Sequence, residues 1–551
     1  MGRFTVILAA AASLGGLASA GPGAAEWASR SIYQVMIDRF ARSDGSSEEC
    51  TDIDGYCGGT WTGLINKLDY IQGMGFTAVQ ISPVVENIRE DTGYGEAYHG
   101  YWSNNMYGIN ENFGTAGDLS HLSQALHDRD MYLMVDVVIN NMAQAIDGSM
   151  PDQTIDYSQL QPFNDERYYH EYCNITDYDN DEIAQQCWLG VTNVALPDLD
   201  TESQEVTDMI GTWITGLVAN YSIDGLRIDA AKHVNNEYLP PFVEAAGVFT
   251  FGEIFSGVVD NVCKYQRDNL ISGLPNFPVY FPLIQAFTAG DMEGLSEMIS
   301  DVNDGCTDTS VLGTFAENHD LPRFASLVPD LALAKNAIAF TILADGIPTM
   351  YQGQEQHMPG NYSPYNRAPL WSGSESGTPY DTSAPLYNLT ATLNALRNHA
   401  ISIDSRYVSN HSIELFLDPS TMATRKGPDG VQIVAVFSNQ GERGGEYELS
   451  VGPSAYEIGT EVIEVFSCTR SNANEAGNVT ALMGAGEPKA FFPTAQMEGS
   501  GLCGYASNAE AATNTSSGAE PSATNGAAIA ADVRWGTALL GVMGALAFWL
   551  L

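Results

Sequence analysis

Ile223-Asp224-Gly225-Leu226-Arg227-Ile228-Asp229 reads as a short buried strand that closes on an acid. Gly247-Val248-Phe249-Thr250-Phe251-Gly252-Glu253 repeats that design, and Asp320 follows the run Val311-Leu312-Gly313-Thr314-Phe315-Ala316-Glu317-Asn318-His319. Acids that recur at successive strand ends predict a barrel whose chemistry gathers at the C-terminal rim of its strands. Paired carboxylates are also the residue types that cleavage of a glycosidic bond needs.

Working outward, strands are predicted at Ile32–Ile37, Thr77–Ile81, Tyr132–Val138, Gly225–Ile228, Thr250–Gly252, Val311–Phe315 and Ile347–Tyr351. They are short apolar runs, as expected of strands buried on both faces. Helical patterns lie between several of them, for example Ala116–Arg129 and Thr201–Asn220. Repeated β-α units imply a parallel sheet, so the fold class is α/β and residues 21–400 suit a (β/α)8 TIM barrel. A doubly wound open sheet is the alternative, but it would want a glycine-rich phosphate loop after an early strand, and none is found. The segment 141–198 has many Asp and Tyr and little helical period. It is expected to form a small subdomain B protruding from the rim, where it could wall a cleft. Residues 401–503 change to short runs with turn breaks, which predicts a C-terminal antiparallel β-sandwich domain.

The 551 residues, 44% hydrophobic, are too many for one core, so two or three domains are expected. The net charge of −45 makes nucleic acid and anionic membrane surfaces poor partners, whereas a neutral polymer such as a glucan would not be repelled. Residues 1–20 read as a secretory signal: Arg3, an apolar stretch from Phe4 to Leu17, and the small site Ala18-Ser19-Ala20. Eight cysteines fit that route. Their grouping favours bridges Cys50–Cys57, Cys173–Cys187, Cys263–Cys306 and Cys468–Cys503. A zinc site is the alternative, although no Cys-x-x-Cys pair is present. Sequons at Asn174, Asn220, Asn361, Asn388, Asn410, Asn478 and Asn514 support passage through a glycosylating pathway. At the other end, residues 504–525 read as a Ser/Thr/Ala-rich stalk and 526–551 as a GPI-attachment signal with Asn525 as the attachment site. A short tail-anchored helix is the alternative there. Together these features predict a secreted monomer, anchored through a GPI lipid to the outer face of the plasma membrane or the cell wall.

Four blocks carry a resemblance to a known family. Asp136-Val-Val-Ile-Asn140-Asn141, Gly225-Leu-Arg227-Ile-Asp229-Ala-Ala-Lys232-His233, Gly252-Glu253-Ile254 and Glu317-Asn318-His319-Asp320 look like signature segments of the α-amylase family of glycoside hydrolases. Trp188 to Asp200 looks like a further one. The resemblance is nearest to fungal α-amylases and covers roughly Glu26 to Cys503. It implies a retaining mechanism with Asp229 as nucleophile, Glu253 as general acid and then base, and Asp320 as stabiliser of the distorted sugar. Arg227, on the same strand face as Asp229, is expected to hold its pKa down. By resemblance, His99, Tyr101, Trp102 and His319 meet the sugar at the cleaved bond, Lys232 and His233 lie on the reducing-end side, and Arg367 lies on the other. Calcium is the implied cofactor, with Asn140, Gln185, Asp198 and the His233 carbonyl as ligands.

Three positions depart from the family pattern. Asn141 stands where nearly all members have a histidine against the sugar, Ser363 where the nearest have an aspartate gripping the donor chain, and Gln185 where an acidic ligand is usual. With the anchor signal, these departures resemble fungal 4-α-glucanotransferases linked to cell-wall α-glucan. Transglycosylation of maltooligosaccharides is therefore the expected activity. A surface-anchored endo-acting α-amylase is the alternative, and a non-catalytic wall protein is a third reading.

Overall fold

The computed structural model describes residues 21–507, except 149–150, 152–153, 191, 373–376 and 454. The expected signal (1–20), most of the stalk, the 526–551 segment, Asn514 and Asn525 lie outside the described residues.

Eight parallel strands form the central sheet: β1 (Ile32–Val35), β2 (Ala78–Ile81), β3 (Tyr132–Val138), β4 (Gly225–Asp229), β5 (Phe249–Gly252), β6 (Leu274–Pro275), β7 (Leu312–Thr314) and β8 (Ile347–Tyr351). Their order is β6-β7-β8-β1-β2-β3-β4-β5. A parallel bridge between Phe251 and Gly273 then joins the two edges and rolls the sheet into a barrel. The Gly252 N–H donates to the Gly273 carbonyl at 2.9 Å, and the Gly273 N–H to that of Thr250 at 3.1 Å. Glycine is required at this seam. A Cβ on Gly273 would meet the Phe249 ring at 2.3 Å, and one on Gly313 would meet the Phe251 ring at 2.2 Å. The two phenylalanines fill the barrel floor where these strands have no side chain.

Two expectations shift in detail. β1 stops at Val35 rather than Ile37, because Met36 caps a helical turn, Ile37–Phe40. The helix expected from Thr201 begins at Gln204, since the Thr201 hydroxyl instead accepts from the Asn235 N–H at 3.3 Å. The helix Ala116–His127 starts where its sequence says, with Thr115 and Asp118 capping each other's backbone N–H.

The rim insertion contains a two-stranded ribbon, Gln144–Ala145 with Val194–Ala195, a helix Asp181–Gln186, and the Cys173–Cys187 disulfide. The other bridges join Cys50 to Cys57, Cys263 to Cys306 and Cys468 to Cys503. The C-terminal domain has β9 (Ile413–Asp418), β10 (Thr421–Lys426), β11 (Ile433–Ser438), β12 (Tyr447–Val451), β13 (Glu461–Glu464), β14 (Thr469–Asn472), β15 (Val479–Met483) and β16 (Lys489–Pro493). Six of them form an antiparallel sheet in the order β9-β10-β11-β16-β13-β14, and β12 pairs with β15. Alternation along β11 decides what each face meets. Ile433, Ala435 and Phe437 join the barrel core, with the Phe437 ring 5.5 Å from that of Phe340. Val434 and Val436 pack under Leu449, Val451, Ala481 and Met483 of the β12–β15 pair. The sequons at Asn174, Asn220, Asn361 and Asn388 are exposed, while Asn410 and Asn478 are half-buried. Asn478 already donates its amide to Ser450 Oγ at 3.0 Å. Among the described residues no helix is long and apolar enough to cross a membrane.

Candidate active site

The residues singled out from the sequence converge at the C-terminal rim. Arg227, on β4 and 4% exposed, is the hub. Its Nη1 donates to Asp229 Oδ1 at 2.6 Å and to both oxygens of Asp136, at 3.0 and 2.8 Å. Its Nη2 lies 2.7 Å from Glu253 Oε2. Glu253 also accepts the backbone N–H of Ala230 at 3.1 Å, presented by a left-handed turn directly after β4. Asp229 and Glu253 are thus held on the two terminal nitrogens of one planar group, which fixes their separation and orientation.

One guanidinium serves three carboxylates here, and that sets the electrostatics. Burial pushes Asp229 well above the usual carboxylate range; Arg227 opposes it, and Glu253, Asp136 and Asp320 reinforce it. Arg227 does pull Asp229 down, as expected, but burial outweighs it. Burial likewise raises Glu253 and lifts Asp136 to about 6. Repulsion from the Glu253 carboxylate adds to the rise of Asp229, so the two acids do not titrate independently.

Asp320 lies in a different environment. Burial would raise it, but the His319 imidazole, Arg367 and Arg227 outweigh that and hold it below the usual range. Arg367 Nη2 lies 2.8 Å from Asp320 Oδ1 and His319 Nε2 lies 3.1 Å from Oδ2. The tautomer of His319 follows from its neighbours. Gln34 Nε2 donates to Nδ1 at 3.2 Å, so the proton sits on Nε2 and points at Asp320. Burial lowers His319 to about 3, which keeps it neutral. His99 is neutral for the same reason, and its Nδ1 accepts from the Tyr101 N–H at 3.0 Å, leaving an Nε2–H donor. Tyr101 stacks on His319 with ring centroids 5.3 Å apart and donates to Asp136 at 2.7 Å. Trp102 sets its ring edge-on to His99 at 4.5 Å.

Comparisons with known proteins agree with this geometry. Residues 34–379 match the family described as alpha amylase, catalytic domain, and 414–511 match alpha-amylase domain C. The chain is 46% identical over 486 residues to Alpha-amylase 2 of Schwanniomyces occidentalis, covering 88% of this chain and 93% of that one. It is 46% identical over 472 residues to an alpha-amylase of Saccharomycopsis fibuligera, covering 85% and 92%. The solved structure of an alpha-amylase from Malbranchea cinnamomea superposes with a TM-score of 0.83 at 46% identity, covering 88% of this chain and all of that one.

The chain belongs to the α-amylase family. It is a glycosidase acting on α-glucans, and its four disulfides suit an oxidising, extracellular route. The remaining residues can be placed on this amylase fold. Lys232 and His233 lie on the turn after β4. Lys232 Nζ is 3.5 Å from Asp179, and His233 Nδ1 meets the Ala184 carbonyl at 2.8 Å. Burial lowers His233 to about 4. Asn141 is buried, with its amide turned to the Met142 carbonyl at 3.2 Å.

Two of the expected metal ligands, Asn140 and Asp198, meet beside this amylase cleft. Asn140 Nδ2 donates to Asp198 Oδ1 at 2.9 Å, which leaves its Oδ1 as a free acceptor. Gln185, on the helix Asp181–Gln186, packs over the turn that carries His233, and its Nε2 is buried without a hydrogen-bond partner. Burial lifts the Asp198 carboxyl to about 7 despite its bond to His170. The Asp198 carboxylate, the side-chain oxygens of Asn140 and Gln185 and the His233 carbonyl are oxygen donors of the kind a hard divalent cation takes. His170, Asp200 and Glu202 next to it bring ligand atoms within 4.8 Å of one another.

Sequence reasoning missed Asp136 and Gln34 as site residues. Asp136 carried a legible signal, a charge inside an otherwise apolar strand whose neighbour strand carries Arg227. His170 carried none, since the insertion that holds it has no period.

Proposed function

We propose that this protein cleaves α-1,4-glucans with retention at the anomeric carbon. The observation that carries the reading is the Arg227 fork, which presents Asp229 and Glu253 together while Asp320 sits apart, paired with Arg367. Asp229, once ionised, attacks the anomeric carbon as the glycosidic C–O bond breaks, and Glu253 in its protonated form gives its proton to the departing oxygen. Glu253 then takes a proton from the incoming hydroxyl, which displaces Asp229. Asp320, held ionised, accepts hydrogen bonds from the ring hydroxyls and faces the developing positive charge. His99, neutral, donates to a sugar oxygen through Nε2, while the Nε2–H of neutral His319 holds Asp320 in place. Asn140, Gln185, Asp198 and the His233 carbonyl would hold calcium, which would tie the insertion to the rim and so shape the cleft.

Water is the acceptor that the relatives' names support, since they are alpha-amylases. Transfer to a second glucan is the second reading, favoured by Asn141, whose amide is turned away to backbone. Maltoheptaose digestion decides between them. First products in the α-configuration confirm retention, and β products refute it. Products longer than the starting sugar establish 4-α-glucanotransferase activity; shorter products alone at every concentration refute it. Under the transfer reading, Asn141→His raises the ratio of hydrolysis to transfer, and an unchanged ratio counts against that role. In this proposal the tail signal, with Asn525 as the attachment site, tethers the enzyme to the cell surface. Release from intact cells by a phosphatidylinositol-specific phospholipase tests that placement.

A further inference from the structure

We propose that Tyr362 and Tyr365 form a stacking subsite for a glucose unit of the bound chain beyond the cleaved bond. The inference rests on the α-glucan reading above and extends the cleft past Arg367. Among the described residues, Tyr362 is 64% and Tyr365 53% exposed. Their rings meet edge to face, with centroids 5.3 Å apart at 82°. Two adjacent aromatics in solvent contribute nothing to the barrel core, so folding does not explain them.

The loop that carries them is rigidly held. The Arg323 N–H donates to the Gly360 carbonyl at 2.9 Å, and the Gly360 N–H to Ser326 Oγ at 2.6 Å. Asn366, fully buried, donates to the carbonyls of His319 and Leu321 at 2.9 and 3.1 Å. Tyr365 opens the three-residue turn that ends at Arg367, and Arg367 grips Asp320. The tyrosines are therefore continuous with the rim that carries the acids, and their position is preorganised.

Barrel order gives the direction. The loop follows β8, and β4, which bears Lys232 and His233, lies four strands away around the closed barrel in either direction. A glucan crossing the rim from the β4 side passes Asp229 and Asp320 and leaves over this loop. One tyrosine ring braced by another presents a flat apolar face, which matches the C–H face of a pyranose. Ser363, between them, has no charge to compete for the sugar, so stacking takes over the grip on the donor chain.

The test uses full-length enzyme carrying Glu253→Gln, titrated calorimetrically with maltotriose and with maltoheptaose, with and without Tyr362→Ala/Tyr365→Ala. The subsite predicts that the double substitution raises the ratio of the maltoheptaose to the maltotriose dissociation constant by about tenfold, a typical gain for one good contact. An unchanged ratio overturns it. So does an unchanged ratio with a Tm that falls only in the glycosylated form, which would assign the pair to a glycan on Asn361. Absence of binding of either sugar by the parent protein would refute the α-glucan reading itself, and the subsite with it.

Discussion

Glu253 illustrates how function and stability oppose each other at a single residue. Burial raises its carboxyl above the unfolded value, so the folded state binds the proton more tightly than the unfolded chain does. Stability from this group is therefore greatest in acid and declines as pH rises through the folded pKa. Glu253→Gln keeps the shape and removes the charge. It should abolish turnover and leave the Tm at pH 7 equal to or above that of the wild type; a fall of several degrees, or normal turnover, would contradict the assignment. Asp136 acts one step further back. It draws on Arg227 without reaching the substrate and adds repulsion that lifts Asp229. Asp136→Asn returns more of the guanidinium charge to Asp229, so the acid limb of the kcat/KM profile should move to lower pH. A limb that stays in place, or moves up, would show that Arg227 is not the shared resource.

At the scale of elements, the rim insertion is seated on the barrel core through Met142, Leu160, Phe163, Tyr168 and Tyr169, and a cation among Asn140, Gln185, Asp198 and the His233 carbonyl would add a second fastening beside the cleft. An acid at Gln185 adds a charge next to a carboxyl already pushed up to about 7 by burial. Gln185→Glu should therefore lower the Tm in chelator and raise it in calcium, with the calcium dissociation constant falling about tenfold, or ~1.4 kcal/mol. A Tm that responds equally in both proteins would separate Gln185 from the cation. The elements also show what a sequence can disclose. Seven of the eight barrel strands announce themselves as apolar runs, but β6 is the pair Leu274–Pro275. Two residues, one unable to donate a hydrogen bond, carry no period, and only the bond pattern of Gly273 reveals the seam. Likewise β10 mixes Thr, Arg and Lys with apolar residues, and β15 alternates buried Val479, Ala481 and Met483 with exposed Thr480 and Leu482 over only five residues. Side chains at strand ends were legible because charge stands out against an apolar run. The division of Arg227 among three acids was not, since it depends on two strands being adjacent in space.

At the scale of the whole molecule, the apolar face of the C-terminal sheet is continuous with the barrel core, and one ion pair is set into that junction. Asp345, just before β8, accepts from Lys426 Nζ of β10 and from the backbone N–H of Ser412 at 3.1 and 3.0 Å. The side chains are 14% and 4% exposed, and His411 Nδ1 stands 3.9 Å away. Burial pulls Lys426 down while Lys426 holds Asp345 low against its own burial. The intact pair therefore contributes little net stability, but half of it is costly. Asp345→Asn leaves a buried ammonium without its counter-charge and should destabilise by about 3–5 kcal/mol at neutral pH. Its sign with pH is fixed. A carboxylate whose folded pKa is depressed contributes above the unfolded value, and the contribution disappears as pH falls through the folded one. The Tm gap between wild type and Asp345→Asn should thus be full at pH 7 and close in acid. Asp345→Leu with Lys426→Met, which removes both charges, should restore most of the loss. Because the cores are shared, calorimetry of the wild type should show barrel and C-terminal domain melting in one transition. A gap independent of pH, or two separate transitions, would mean that the junction is not what binds the domains together.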